Sequence, residues 1–209
     1  MQDLRRTEVK ISILDRILLL LTGLLAAYQI VVGTDASGSV PLTAYTIGFG
    51  VLLLAGLLLI ILGFDALDSP VVAVVSTVIP LSLSLGLVWE HIAGWRQAYL
   101  AFVILGFLAI AVTRARPMPG RLPTFTLAIV HGIAGMMIFV LPILLSAQGL
   151  AGPLFSLVGV GGALIGLGGL LLAFLKAGRP ILPRATILQL LPGLLLLMTA
   201  AFVAGFKYG

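Results

Sequence analysis

Two histidines have the widest chemical repertoire in this sequence, because an imidazole can bind a metal or a pigment and can exchange a proton near neutral pH. His131 lies in the middle of an apolar stretch, whereas His91 lies near the end of another, in LVWEHIAGWRQAY. At 1.5 Å per residue of helix, we expect the two side chains to differ in depth by roughly 10 Å or more. One haem cannot easily take both as axial ligands, which argues against a self-contained bis-histidine cytochrome.

His131 has three open interpretations. As a neutral imidazole, it can form a hydrogen bond to a Ser, Thr or backbone carbonyl of a neighbouring helix. It can also serve as an axial ligand of a haem or chlorophyll-type pigment, or as a proton or substrate site. No motif accompanies it, so the structural hydrogen bond is the preferred interpretation and the cofactor stays open.

A second polar group combines Glu90, His91 and Arg96 with flanking aromatic residues. Aromatic rings at headgroup depth, with charges that reach water, are typical of an interfacial belt. The same three residues are alternatively an external binding site, because they form the most concentrated polar group at that end of the predicted helices.

No arrangement of residues predicts a reaction. The chain has no cysteine, which excludes thiolate nucleophiles, disulfides and cysteine-bound metal sites. It has no HExxH zinc motif, no carboxylate pair within an apolar stretch, and no nucleophile beside a histidine in a recognisable pattern. We therefore expect no enzyme activity and no metal site.

The composition is that of a membrane protein. Hydrophobic residues make up 61% of the 209 residues and charged residues only 9%, whereas about a quarter of the residues of a soluble domain are charged. The net charge of +5 is typical of loop residues that set orientation at an anionic leaflet. We expect the lipid bilayer as surroundings and no nucleic acid as partner.

Seven apolar segments predict an all-α integral membrane protein with seven transmembrane helices, since about 20 residues of helix cross a hydrocarbon core about 30 Å thick. We expect the first segment to be retained, because it is longer than the apolar core of a signal peptide. The predicted helices cover residues 11–32, 41–64, 70–92, 95–113, 122–145, 153–175 and 185–206.

Basic residues predict the orientation. If the helices alternate in direction, one side of the membrane has only Arg96 and Lys207, and the other side has all remaining basic residues. Basic loops mark the cytoplasmic face, so we expect a multi-pass protein of the plasma (inner) membrane with its N-terminus inside and its C-terminus outside. The cytoplasmic set is Arg5, Arg6, Lys10, Arg16, Arg114, Arg116, Arg121, Lys176, Arg179 and Arg184.

The sequence also resembles itself. Aligning 47–61 with 158–172 superimposes glycines, and almost the same shift aligns Pro80 with Pro192. This self-similarity predicts a parallel 3+1+3 repeat around an axis along the membrane normal. The single membrane domain, 1–209, then divides into a first three-helix repeat (1–94), a central helix with a basic connector (95–121) and a second repeat (122–209).

The loop between the second and third helices is acidic in the first repeat and basic in the second. Asp65 and Asp68 follow the second helix of the first copy, and Lys176 and Arg179 take the equivalent positions in the second. If the copies pack around the axis, these loops can pair. Such pairs would affect register more than stability, because exposed ion pairs contribute only about 0 to 1 kcal/mol. Solvated loop charges arranged by chance are the alternative.

Glycines concentrate in the second and sixth predicted helices. In lipid, small residues let helix backbones approach closely. We expect these two helices to make the closest contacts of the bundle, with each other or with a partner subunit. The packing residues are Gly48, Gly50, Gly159, Gly161, Gly162, Gly166 and Gly169.

Two functions from different classes fit these features. The first is a structural or accessory subunit of a larger membrane complex, such as a respiratory or photosynthetic one, or a homo-oligomer; it predicts a dry interior and a covered glycine face. The second is a small parallel-repeat permease for a neutral solute, with a path lined by Gln29, Ser76, Ser84 or Gln189. The scarcity of charge within the helices leaves no clear site for ion coupling and favours the first.

Overall fold

The described chain is almost entirely helical. The computed structural model of the protein describes residues 9–115, 122–176 and 178–209, and these ranges contain α-helices and short 3-10 segments but no strands. Seven α-helices in them are long and apolar enough to cross a membrane, which confirms the predicted all-α class and number of apolar helices. They are α1 (Ile13–Val32), α2 (Ser39–Leu62), α3 (Pro70–His91), α4 (Arg96–Ala115), α5 (Leu122–Ala147), α6 (Ser156–Lys176) and α7 (Arg184–Tyr208).

The start of α1 is fixed by a capping box. The Ser12 hydroxyl accepts a hydrogen bond from the Asp15 backbone N–H at 3.1 Å, and the Asp15 carboxylate accepts one from the Ser12 N–H at 2.8 Å. These two bonds satisfy N–H groups that the first turn of a helix leaves free. Asp15 is buried and Arg16 is exposed, so the carboxylate caps the helix instead of pairing with its neighbour.

The end of α2 continues into a 3-10 segment, Gly63–Asp68, before α3 starts. Gly63 has a φ of +71°, a backbone conformation that glycine adopts without a Cβ clash. Pro70 occupies the first turn of α3, where its missing N–H costs no hydrogen bond. Local chain chemistry therefore sets the sharp reversal between the two helices.

Six helices form a closed ring. Within the described chain, α1 packs on α2, α2 on α3, α3 on α5, α5 on α6, and α6 on α7, and α7 returns to α1. The remaining helix, α4, lies outside the ring against α3 and α5. The helix at the centre of the sequence is thus at the edge of the bundle.

The bundle has two ends, which we name by the terminus that each contains. At the C-terminal face lie the ends of α1, α3, α5 and α7; at the N-terminal face lie the starts of these helices. An ion pair joins Asp68 to Arg184 across the N-terminal face, with N and O atoms 3.7 Å apart. The acidic loop therefore meets the start of α7. Its basic partner is Arg184 and not the expected Arg179, and the Lys176 side chain is outside the described residues.

Aromatic side chains fill the ring near the C-terminal face. Tyr45 and Phe49 of α2 reach across to α7: the Tyr45 and Phe206 ring centroids are 4.6 Å apart, and those of Phe49 and Phe202 are 6.4 Å apart, edge to face. Phe49 and Phe202 are each 1% exposed or less. Such pairs add directional attraction to the area they bury. At this level, side chains occupy the centre of the ring.

Candidate functional site

Glu90 is the centre of a polar group at the C-terminal face. It lies in the last turn of α3, and its carboxylate accepts hydrogen bonds from the Ser37 backbone N–H and from the Tyr45 hydroxyl, each at 3.1 Å. The Tyr45 side chain is 2% exposed. A single carboxylate therefore joins α3, α2 and the loop before α2.

His91 adjoins this carboxylate without forming a hydrogen bond to it. Its Nε2 atom is 4.0 Å from a Glu90 oxygen, beyond hydrogen-bond distance. The imidazole packs against the Phe155 ring with centroids 5.3 Å apart. Among the described residues, no partner bonds this buried Nε2. The pair thus offers a nitrogen and a carboxylate beside each other, and both side chains are about one-fifth exposed.

Arg96, the third member of the predicted group, contacts a different residue. Its Nε donates a hydrogen bond to the Trp89 carbonyl at 2.6 Å, and its guanidinium lies 5.9 Å from the centroid of the Trp89 ring. Its contacts in the described chain include neither Glu90 nor His91. The structure therefore divides the predicted group into a Glu90–His91 pair and a separate Trp89–Arg96 pair.

A further contact at this face was not predicted from sequence. The Lys207 ammonium donates a hydrogen bond to the Tyr28 hydroxyl and lies 5.0 Å from the centroid of the same ring. This contact joins the end of α7 to the end of α1. The sequence gives only a weak signal for this contact, because the lysine and the tyrosine lie at the ends of two apolar helices that are far apart in sequence.

Gln29 and Ser84 are the two buried residues among the four expected along a solute path, at 2% and 0% exposed. The Gln29 Nε2 donates to the Gly33 carbonyl at 2.6 Å, and its Oε1 is buried with no partner in the described chain. The Ser84 hydroxyl bonds the Pro80 carbonyl of its own helix at 2.6 Å. Gln29 thus closes the end of α1, and Ser84 is satisfied within α3.

The other two path residues lie elsewhere. The Ser76 hydroxyl donates to the Ala73 carbonyl at 3.1 Å, and Gln189 is exposed in the second turn of α7. Gln29 is near the C-terminal face and Gln189 near the N-terminal face. The structure does not bring the four residues together.

Buried threonines bond within their own helices. Thr22, Thr77 and Thr199 are each 0% exposed, and each donates to the carbonyl four residues earlier at 2.7–2.9 Å. This local bond satisfies a hydroxyl without a partner from another helix. These hydroxyl protons are therefore already engaged.

His131 lies on α5 with its Nδ1 buried and no hydrogen-bond partner among the described residues. Its neighbours Val130 and Ala134 pack into a small apolar cluster with Leu81 and Ile110. A surface cavity of about 430 Å³ on the same helix is lined by Gly132, Ile133, Met136, Met137 and Val140. The His131 side chain is not part of that lining.

The glycines of α6 approach the two helices beside it. A Cβ atom at Gly162 would lie 2.9 Å from the Phe139 backbone nitrogen of α5, and one at Gly161 would lie 2.5 Å from the Phe202 ring of α7. The other glycines expected to pack fall into two groups, one in close contact with a neighbouring helix and one facing open space. Gly48 and Gly159 also meet neighbouring side chains or backbone, whereas Gly50, Gly166 and Gly169 have no heavy atom within 4 Å of a Cβ position.

Helices α2 and α6 are not adjacent in the ring. Each instead packs between its own two neighbours.

No protein-family model, curated protein or solved structure matches this chain. The functional interpretation therefore rests on the geometry above. Over the described ranges, no group of three or more His, Cys, Asp or Glu side chains is placed to hold a metal ion. What the C-terminal face offers chemically is a hydrogen-bonded carboxylate, an imidazole nitrogen without a partner, and two cations in contact with aromatic rings.

Proposed function

We propose that the protein is a non-catalytic, polytopic membrane subunit that associates with other membrane proteins in a larger complex. The observation that carries this proposal is the packed ring interior near the C-terminal face, where aromatic residues of α2 and α7 meet, together with buried threonines that bond their own helices. A bundle filled in this way offers partners its outer surface. A subunit of this kind does not couple transport to an ion gradient, so it can function without charged groups inside the helices.

The outer surface of α6 suits a partner helix. Gly166 and Gly169 follow Gly162 at helical spacing, so the three share a face. Gly162 is closed by α5, whereas the two later glycines are exposed with open space around their Cβ positions. In lipid, small residues at such a surface allow a second helix to approach closely. We assign this surface, Gly166 and Gly169, as the docking face.

The membrane placement extends the same proposal. The seven apolar helices support a multi-pass protein, and described basic residues cluster at the N-terminal face. By the positive-inside rule, we propose a plasma (inner) membrane location with the N-terminus in the cytoplasm. The described cluster is Lys10, Arg16, Arg114, Arg179 and Arg184. Arg5, Arg6, Arg116 and Arg121 belong to the predicted cytoplasmic set but lie outside the described residues.

The order of neighbours supports a parallel 3+1+3 repeat. If α1, α2 and α3 are exchanged with α5, α6 and α7, each contact of the ring maps onto another contact: α1 with α2 onto α5 with α6, and α3 with α5 onto α7 with α1. The outer position of α4 agrees with a linker between two copies. We propose this repeat as the origin of the ring.

A permease for a neutral solute is the second candidate. Two observations favour it: Pro80 and Pro192 lie inside α3 and α7, where a proline weakens the helix and allows bending, and the buried Gln29 Oε1 has no described partner. This function requires the ring to open, because aromatic side chains fill it in the present structure.

Gentle purification from native membranes tests the first candidate. We expect partner proteins in fixed stoichiometry and loss of those partners in Gly166→Leu, with retention in Gly50→Leu, which replaces an open glycine on α2. A lone protein, or equal behaviour of the two variants, would reject the docking face. In the same preparation, an absorption band lost in His131→Leu would reveal a haem or chlorophyll-type pigment. Transport that is lost in Gln29→Leu or Gln189→Leu would favour the permease.

A further inference from the structure

A groove of about 610 Å³ runs along the outer surface between α2, α3 and α4. Its walls come from the first turns of α2 and from the middle turns of α3 and α4. They are apolar apart from a few hydroxyl groups near α2 and α3. Lining residues used below are Ser39, Thr43, Leu85, Leu100 and Leu108.

The groove has the depth of one membrane leaflet. On α4 its lining ends at Leu108, and Arg96 begins the same helix at the C-terminal face. Leu108 follows Arg96 by 12 positions, which correspond to about 18 Å of helix. Half of a hydrocarbon core is about 15 Å. The groove therefore extends from headgroup level to about the bilayer midplane.

Trp89 and Arg96 lie one helical turn beyond the groove lining, at the end toward the C-terminal face, which we call the mouth of the groove. Trp89 follows the lining residue Leu85 by four positions, and Arg96 precedes the lining residue Leu100 by four, so each shares a helix face with the wall. The two are in contact through the hydrogen bond from Arg96 Nε to the Trp89 carbonyl, at 2.6 Å. Nothing in the described chain accepts a hydrogen bond from the two terminal guanidinium nitrogens, so four N–H donors remain for a ligand.

We propose that this groove binds one anionic phospholipid from the leaflet at the C-terminal face, with an acyl chain between α2 and α4 and its phosphate on Arg96. A guanidinium binds phosphate oxygens through two parallel hydrogen bonds. The positive end of the α4 dipole lies at the same residue, and the Ser39 hydroxyl provides a donor across the mouth. This inference rests on the proposed membrane placement but requires no protein partner.

The chain's two tryptophans allow a direct test. Trp95→Phe leaves Trp89, at the groove mouth, as the only tryptophan. The purified full-length variant is titrated in detergent with brominated phosphatidylglycerol, whose bromine atoms quench a nearby indole. We expect saturable quenching, and brominated phosphatidylcholine should require a roughly tenfold higher lipid fraction for half quenching.

Matched variants in the Trp95→Phe background locate the site. Arg96→Gln should raise the half-quenching fraction by roughly tenfold. Lys207→Gln, which removes the other basic charge of this face, should leave it unchanged. Thr43→Phe, an exposed position that lines the groove, should also weaken quenching, whereas Leu42→Phe at the next position of α2 should not.

Linear quenching without saturation, equal quenching by the two lipids, or equal effects of Arg96→Gln and Lys207→Gln would each overturn the proposal. Because Thr43 is on the surface, its variant tests the groove even if Arg96→Gln fails to fold. Absence of protein partners in native membranes would leave these measurements unaffected, so this inference and the subunit proposal fail separately.

Discussion

The hydrogen bond between Tyr45 and Glu90 should be a strong coupling between α2 and α3 at the C-terminal face. The Tyr45 hydroxyl donates to the carboxylate at 3.1 Å from a side chain that is only 2% exposed. Its loss can be measured by a double-mutant cycle with Tyr45→Phe, Glu90→Ala and both together. The cycle isolates the pair from the second bond of Glu90, to Ser37.

The expected coupling free energy of the Tyr45–Glu90 hydrogen bond depends on the surroundings of the two groups. Side-chain hydrogen bonds inside helical membrane bundles average about 0.6 kcal/mol, whereas hydrogen bonds to a charged group contribute about 1.5–3 kcal/mol. The Glu90 side chain is 19% exposed, so we expect an intermediate coupling of about 1–2 kcal/mol. Glu90→Ala alone should cost more than Tyr45→Phe alone, because it leaves the buried Tyr45 hydroxyl without its partner.

Reversible unfolding in mixed micelles, followed by circular dichroism, measures the free energies. Tyr28→Phe is the matched control, because it removes a tyrosine hydroxyl at the same face from a side chain that is 38% exposed. Its hydroxyl accepts only an exposed hydrogen bond from Lys207, so we expect a loss of at most about 0.5 kcal/mol. A Tyr45–Glu90 coupling below about 0.3 kcal/mol, the level at which distant sites are additive, would refute the assignment of this bond as a clamp between the helices.

Three further predictions use the same unfolding assay. Gly162→Ala should destabilise the protein by about 1–3 kcal/mol, since the added Cβ would meet an α5 backbone nitrogen at 2.9 Å. Gly169→Ala, which adds a Cβ in open space, should not destabilise the protein. Equal effects of the two variants would contradict the contact between α5 and α6. Ser12→Ala should cost about 0.5–2 kcal/mol through loss of the α1 N-cap, and a neutral result would exclude the capping box. Arg184→Ala should cost no more than about 1 kcal/mol, because its bond to Asp68 is largely exposed, and that cost should vanish in high salt.

The seven helices could be predicted because each is a long apolar run, and run length alone decides whether a helix can cross a bilayer. Their ends were less predictable. Helix α2 starts at Ser39, two residues before the predicted start at Pro41, because a proline fits anywhere in the first turn and need not be the first helical residue. At α1, the S-x-x-D spacing of Ser12 and Asp15 is a local signal, and the capping box could have been inferred from it.

The Glu90 site could be predicted only in part. Polar residues 90–96 are close in sequence, but α3 ends at His91 and a 3-10 turn, Ala93–Trp95, precedes α4. That turn places Arg96 on a different helix, against Trp89 instead of Glu90. The partner that Glu90 does have, Tyr45, is 45 residues away. Single-sequence patterns carry no signal for such a contact between two apolar helices.

The outer position of α4 links the fold to the lipid site. From its middle onward, α4 is held close to α5: Gly106 lies against Val130, where an added Cβ would come within 2.9 Å, and Ile110 is fully buried. Near the C-terminal face, the groove separates α4 from α2. Because α4 packs on α3 and α5, the groove on the side of α2 keeps apolar walls that only lipid or another apolar group can cover without cost. A phospholipid with its headgroup at Arg96 would complete the contact between α2 and α4.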